Sequence, residues 1–256
     1  MTAMDPAPHV AASREDGVLT LTLQAGKAHA LSLGMIRALH QAVTAAADDA
    51  EARVIVIHGP GSIFCAGHDL KEIARHRADA DQGRAYLEQL FTDCGALMQA
   101  ITLSPRPTIA MVEGIATAGG LQLVAACDLA FAAPTATVCL PGVNNGGFCT
   151  TPAVAVGRAV GRKHLMELAL SGETFDAEWA RDAGLFNRIL PGDELHAHTR
   201  AFAERLATRH PTAIADGKRT TYHQLDLPLD QAYAEATQTM IGHFMDPERI
   251  AREWKA

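Results

Sequence analysis

The sequence predicts an α/β fold with buried, largely parallel strands, and three observations lead to it. Two short apolar runs, "ARVIVIHG" (Ala52–Gly59) and "PTIAMVEGIA" (Pro107–Ala116), read as strands covered on both faces. Between and after them, apolar residues recur every three or four positions, the spacing of amphipathic helices. Strand and helix therefore alternate, as in a parallel sheet with helices packed on it.

The elements follow in order. Residues 1–16 read as a flexible tail, and "MTAMDPAPHVAASREDG" has no basic region followed by an apolar one, so no secretory signal is expected. "GVLTLTLQ" (Gly17–Gln24) alternates and is rich in β-branched residues, which predicts a strand. "LSLGMIRALHQAVTAAADDA" predicts a helix with Ser32 as N-cap. The Ala52–Gly59 strand ends at Gly-Pro-Gly, and "SIFCAGHDLKEIARHRAD" reads as a turn that opens into a helix. A long helix is expected over Gln82–Leu103 and another from about Ala118. "DLAFAAPTATVCLP" predicts two short strands joined by a turn at Pro134. After Pro152 the pattern is helical almost to the end, with breaks at Pro191–Gly192 and His210–Pro211. We therefore expect a core over 17–195 and a helical region over 196–256. The helical region has too little apolar surface for its own core and must pack on the main body or on another subunit.

Composition narrows the function. The chain has 256 residues and a formal net charge of −7, which argues against nucleic acid as the main partner. Five cysteines, an odd number without a CxxC pair, argue against a disulfide framework or a zinc site and fit a reducing compartment. No apolar run is long enough to span a membrane, and a cytoplasmic location is expected. The histidines show no metal-ligand spacing, and His196 and His198 read as residues of an exposed helix.

Two stretches carry the candidate chemistry. In "FCAGHDL" (Phe64–Leu70) a strand ends, Ala66-Gly67 turns, and a helix begins near Asp69, a possible cap. In "GIATAGGLQL" (Gly114–Leu123) a strand again meets small residues and a helix, with Gly119 and Gly120 in its first turn. The first N–H groups of a helix lack intrahelical partners and sit at the positive end of its dipole. Two such turns can aim two N–H groups at one oxygen, the arrangement of an oxyanion hole.

These stretches resemble the crotonase family, the enoyl-CoA hydratase/isomerase superfamily. "FCAGHDLKEI" and "VEGIATAGGLQLVAACDLAFA" resemble its two turn segments, "AHALSLGMIRAL" the turn and helix after its first strand, and "PGVNNGGFCTTP" (Pro141–Pro152) a divergent "enoyl-CoA hydratase domain-containing" branch. The likeness runs from about Gly17 to Pro191. It implies a spiral of ββα units, a C-terminal helical trimerisation region, a homotrimer or a hexamer built as a dimer of trimers, and a role in fatty acid metabolism. It implies an acyl-CoA thioester as ligand and no cofactor beyond the CoA carried by the substrate. It also implies that His68 and Gly119 donate backbone N–H groups to the thioester oxygen. Around them, the resemblance assigns substrate binding to Ala66, Gly67, Asp69 and Leu70 in the first turn. Ile115 and Gly120 in the second turn, and Gly142 and Asn144 further on, are assigned to it as well.

The sequence also departs from the family. Hydratases of the superfamily use two glutamates, and the corresponding positions hold Gln122 and Gly142. An amide cannot take up a proton at neutral pH, so two-glutamate hydration is not supported. The oxyanion half of the machinery is present, while the acid–base half is missing or relocated. "AGHD" also resembles methylmalonyl-CoA decarboxylases, so decarboxylation, thioester hydrolysis and acyl-CoA binding without turnover stay open. His68, Gln122, Asn144, Asn145, Cys149 and Thr150 are the candidate pocket groups, with Gln122, which can hydrogen-bond a water or an acyl substituent, counted with His68 and Gly119 as catalytic; Asp128 reads as a structural hydrogen-bonding residue. Lys27 and Lys71 are candidate partners for CoA phosphates. "PERIAREWKA" ends sooner than the family's C-terminal segment, which leaves a contact from Arg252 or Lys255 to a neighbouring subunit's ligand unsupported.

Overall fold

The computed structural model describes residues 9–253. The chain opens with β1 (Val10–Glu15) and β2 (Val18–Leu23), then α1 (Leu33–Asp48). Next come β3 (Val54–Gly59), β4 (Ile63–Cys65), α2 (Leu70–Arg75) and α3 (Arg84–Leu103). β5 (Thr108–Val112), β6 (Ile115–Thr117) and α4 (Gly119–Ala126) repeat the pattern. β7 (Leu129–Ala132) and β8 (Thr137–Cys139) lead through a 3-10 turn to α5 (Thr150–Ala159) and α6 (Arg162–Ser171). β9 (Thr174–Asp176), α7 (Ala177–Ala183), β10 (Arg188–Ile189) and α8 (Gly192–Ala207) follow. The chain ends with α9 (Pro211–Gln224), α10 (Leu229–Phe244) and α11 (Pro247–Glu253).

The ββα units form a spiral, as expected for a crotonase-type fold. β1 and β2 both join a six-stranded sheet, ordered β1-β2-β3-β5-β7-β10; in the units that begin with β3, β5 and β7 the first strand joins that sheet and the second joins a four-stranded sheet, ordered β4-β6-β8-β9. The large sheet is parallel from β2 to β10, with β1 antiparallel at its edge. Its central strands are buried on both faces, which is why β3 reads as one apolar run. Ile55 and Ile57 join the main core with Leu39 of α1 and Leu97 of α3. Val54 and Val56 point the other way and pack with Leu195 and Ala203 of α8.

Several expectations need correction. Residues 10–15 are not a tail: they form β1, paired along its length with β2 through a turn at Asp16 and Gly17, which have φ +50° and +78°. Asp-Gly suits a two-residue hairpin because both positions tolerate left-handed backbone. Residues 1–8 of the expected tail, and Lys255, lie outside the described residues. "PTIAMVEGIA" is two strands, because Glu113-Gly114 turns a corner and sends β6 into the second sheet. β9 and β10 interrupt the stretch expected to be helical. The boundary at 195 falls inside α8, whose buried Leu195, Thr199 and Ala203 cover the sheet. His198, expected on an exposed helix face, has its ring edge-on to the buried Phe131.

Beyond α8 the packing thins. α9 and α10 bury little beyond Thr220 and Ala232. α9 is anchored to the core through Asp128, which accepts hydrogen bonds from Thr108 N–H (2.7 Å), the Thr108 hydroxyl (2.9 Å), Tyr222 (2.8 Å) and Lys218 (2.7 Å). Lys218 also donates to the carbonyls of Ile101 and Arg106. Removing one member of a buried ion pair leaves the other charge uncompensated. Asp128→Ala is therefore expected to lower stability by about 3–5 kcal/mol, read as a drop in the urea midpoint.

Candidate active site

The two candidate turns come together. Leu31 and His68 form a parallel bridge in which Leu31 N–H donates to Gly67 O (2.8 Å) and Asp69 N–H to Leu31 O (3.3 Å). Asp69 caps α2, accepting from the N–H groups of Lys71 and Glu72. Gly67, at φ +82°, sits so close to the second turn that a Cβ there would lie 3.0 Å from the Gly119 nitrogen. In that second turn Ala118 holds φ +50° and ψ −117°, a region disfavoured for a residue with a side chain. Its N–H donates to Cys139 O at 3.0 Å, which pins the turn to the end of β8. A Cβ on Gly120 would fall 2.0 Å from Cys65 O, so only glycine lets α4 approach β4 this closely.

The backbone donors in these turns thus have different fates. Leu31, Asp69 and Ala118 N–H are engaged, as is Gln122 N–H with Ala118 O (3.0 Å). Among the described residues, neither the His68 N–H nor the Gly119 N–H meets an acceptor. A Cβ on Gly119 would stand 3.4 Å from the His68 ring, so the two donors belong to one small neighbourhood.

Two side chains there carry unmatched polar atoms. Gln122 is 3% exposed, and its Oε1 is buried without a partner, as is His68 Nε2. The His68 ring packs edge-on to Phe91 with centroids 5.1 Å apart. Burial pushes its pKa down to about 4, so the ring is neutral at pH 7 and poorly matched to proton transfer there.

The other expected site residues divide. Gly142 has no room for a side chain: a Cβ would meet Cys149 N at 2.7 Å and Phe148 C at 2.9 Å. Asn144 is committed elsewhere, donating to Gly172 O (2.9 Å) at the end of α6. Cys149 is the N-cap residue of α5, and burial raises its thiol pKa, the wrong direction for a nucleophile. Thr150 opens the same helix, and Asn145 is exposed at the end of the 3-10 turn. Ala66 N–H is taken by Ala28 O. Ile115 and Leu70 expose apolar surface beside the two turns, at 38% and 73%. Lys27 and Lys71 are exposed.

Sequence spacing missed one constellation. His58, Glu113 and His196 converge through their side chains from three separate elements. His196 is therefore no simple surface residue. Positions so far apart in the chain carry no local signal.

The fold and the paired turns define an α/β protein of the ββα-spiral class. The enoyl-CoA hydratase/isomerase family model matches residues 13–254, and the chain belongs to that family. Among curated relatives, the mouse "Enoyl-CoA hydratase domain-containing protein 3, mitochondrial" is 40% identical over 238 residues, covering 92% of this chain and 78% of its own. A solved enoyl-CoA hydratase/isomerase family protein from Silicibacter pomeroyi is 55% identical, with a TM-score of 0.89 over 93% of this chain and 99% of its own. The human enoyl Coenzyme A hydratase domain-containing protein 3 structure is 37% identical, with a TM-score of 0.88 over 94% of each chain. The cytoplasmic expectation does not stand, because the mouse, rat and human relatives are named mitochondrial. Unpaired cysteines report a reducing environment and do not distinguish one such compartment from another.

His68 provides a test of this geometry. The unfolded chain takes up a proton at this ring near pH 6.5, whereas the fold resists it until about 4. The unfolded state binds more protons across that window, so this group's contribution to stability is present above it and is lost as pH falls through it. In NMR titration the His68 imidazole is expected to show a midpoint near 4.

Proposed function

We propose that this protein processes acyl-CoA thioesters by holding the thioester oxygen between the N–H groups of His68 and Gly119. One observation carries the reading: among the described residues these two donors meet no acceptor, while the Leu31, Asp69 and Ala118 N–H groups beside them are engaged. When the α-carbon of a thioester gains carbanion character, charge moves to that oxygen, and two fixed donors stabilise it. Such a donor typically contributes about 10²–10³ in rate. The thioester is then its own electron sink, and the reading calls for no further cofactor. Exposed Lys27 and Lys71 suit CoA phosphates as point charges.

The reading excludes efficient two-glutamate hydration. At the positions of the family's glutamates stand an amide, Gln122, and a glycine, Gly142, whose surroundings admit no side chain. Ring burial supports treating His68 as a backbone donor rather than the missing acid. Reactions in which another group supplies or removes the proton, or in which carboxylate loss generates the enolate, fit this set better.

Gly119→Pro removes one donor N–H at the first position of a helix, where proline is tolerated. It is expected to cut turnover of any acyl-CoA substrate by about 10²–10³; unchanged turnover in the folded variant would remove Gly119 from the mechanism. Wild-type protein is expected to bind acyl-CoA in calorimetry yet hydrate crotonyl-CoA slowly, because general acid–base groups contribute about 10²–10⁴ each. Hydration at the speed of an efficient hydratase would overturn the reading.

The assembly is a homotrimer or a dimer of trimers in this reading. Leu225, Leu229, Tyr233, Met240, Ile241, Phe244 and Met245 of the last helices are large apolar side chains left exposed on one chain, surface that suits a contact between subunits. Sedimentation at micromolar concentration is expected to show three or six chains, and a monomer alone would contradict it.

A further inference from the structure

Away from the two glycine turns, three side chains from separate elements meet at one point. His58 lies near the end of β3, Glu113 in the corner between β5 and β6, and His196 in the first half of α8. Both histidine Nε2 atoms reach the same oxygen, Glu113 Oε1, at 2.8 and 2.5 Å. All three donor atoms lie within 4.8 Å of one another. The imidazole planes stand at 87° with centroids 5.1 Å apart, so both rings can face a common centre without colliding.

We propose that His58, Glu113 and His196 form a binding site for a first-row divalent cation, with Zn2+ the best match. Two imidazole nitrogens and a carboxylate oxygen are ligands of the kind this ion takes. With bonds of about 2.0–2.2 Å, tetrahedral donor atoms stand roughly 3.3 Å apart. The two Nε2–Oε1 separations in this structure are shorter than that by about 0.5–0.8 Å. That gap closes by a small outward movement of His196, whose side chain is 51% exposed. The second Glu113 oxygen accepts Gly61 N–H at 2.8 Å, an outer partner of the kind that orients a ligating carboxylate.

The surroundings suit a cation. A groove of about 440 Å³ runs beside the cluster, lined by both histidines and by Glu15, Arg200 and Glu204. Two carboxylates against one guanidinium give a negative balance that attracts a cation. The groove provides an entry path and leaves the fourth coordination position to water. Since α8 is held to the sheet mainly by the apolar side chains of Leu195 and Ala203, an ion here clamps that helix at its N-terminal half. A ligand that binds only the folded chain stabilises it.

The experiment uses the full chain, stripped with chelator and dialysed. Calorimetric titration with ZnCl2 is expected to give one ion per chain at micromolar Kd or tighter, with a rise in Tm. Co2+ in its place is expected to give the intense visible absorption of a four-coordinate site. His196→Ala and Glu113→Gln are each expected to weaken Zn2+ binding at least tenfold and to abolish the Co2+ band. His223→Ala serves as control, because His223 pairs with Glu235 at 2.6 Å outside the three-residue cluster, and it is expected to change neither. Glu113→Gln keeps the shape of the side chain, so it carries the test if His196→Ala does not fold. Absence of stoichiometric binding, or equal binding by wild type and both cluster variants, would overturn the site and leave a hydrogen-bonded clamp. None of the three residues belongs to the two glycine turns, so this outcome and that of the acyl-CoA reading are independent.

Discussion

The site depends on how closely two backbone turns approach each other. α4 lies so near β4 that a single methyl group at Gly120 would collide with Cys65 O, and Gly67, at φ +82°, packs tightly against Ala118 and Gly119. This contact is steric before it is chemical. Once both glycines are in place, the ends of two ββα units share a corner, and the turns that carry the N–H groups of 68 and 119 lie against each other. Ala118 then holds a backbone conformation that costs about 1–3 kcal/mol, a strain tolerated only where surrounding structure over-determines it. The hydrogen bond from Ala118 to Cys139 and the bridge between Leu31 and His68 supply that determination from two different sides.

What the sequence revealed follows from how local each signal is. β3 was legible because four consecutive apolar residues in a short run admit little but a doubly covered strand. The Ser32 cap and the start of α1 were legible for the same reason, and Ser32 Oγ does accept Met35 N–H at 3.1 Å. β4 and β6 were not, because a three-residue strand has no periodicity to read; each exists because a corner redirects the chain into the second sheet. β1 was lost for a different reason. Its exposed edge carries polar residues, "VAASRE", and its register comes from the Asp16-Gly17 turn rather than from an apolar pattern.

The candidate site divides along the same line. Its glycine turns were legible because glycine reports backbone geometry directly. The fates of Asn144 and Gly142 were not, since which carbonyl an amide reaches, or which atoms crowd a glycine, depends on residues remote in sequence. Asn144 answers to Gly172, and Gly142 to the backbone of 148–149. The His58–Glu113–His196 cluster is the extreme case, assembled only when α8 folds back across the sheet.

This separation bears on how such a site can change its chemistry. The donor half consists of backbone atoms, and the steric contacts of Gly67 and Gly120 fix it whatever the side chains around it do. The proton-handling half would consist of side chains at positions such as 122 and 142. At 122 a glutamine sits buried with an unmatched oxygen, a state that costs about 1–3 kcal/mol unless some group satisfies it. The unmatched amide oxygen can accept a hydrogen bond from outside the chain, as can the buried Nε2 of His68 when it carries no proton. If the N–H groups of His68 and Gly119 hold a thioester oxygen as proposed, the uncharged polar side chains of His68 and Gln122 stand on the same two turns. A neutral polar wall beside a strong backbone donor pair favours recognition of an acyl group by hydrogen bonds and shape over proton exchange with it.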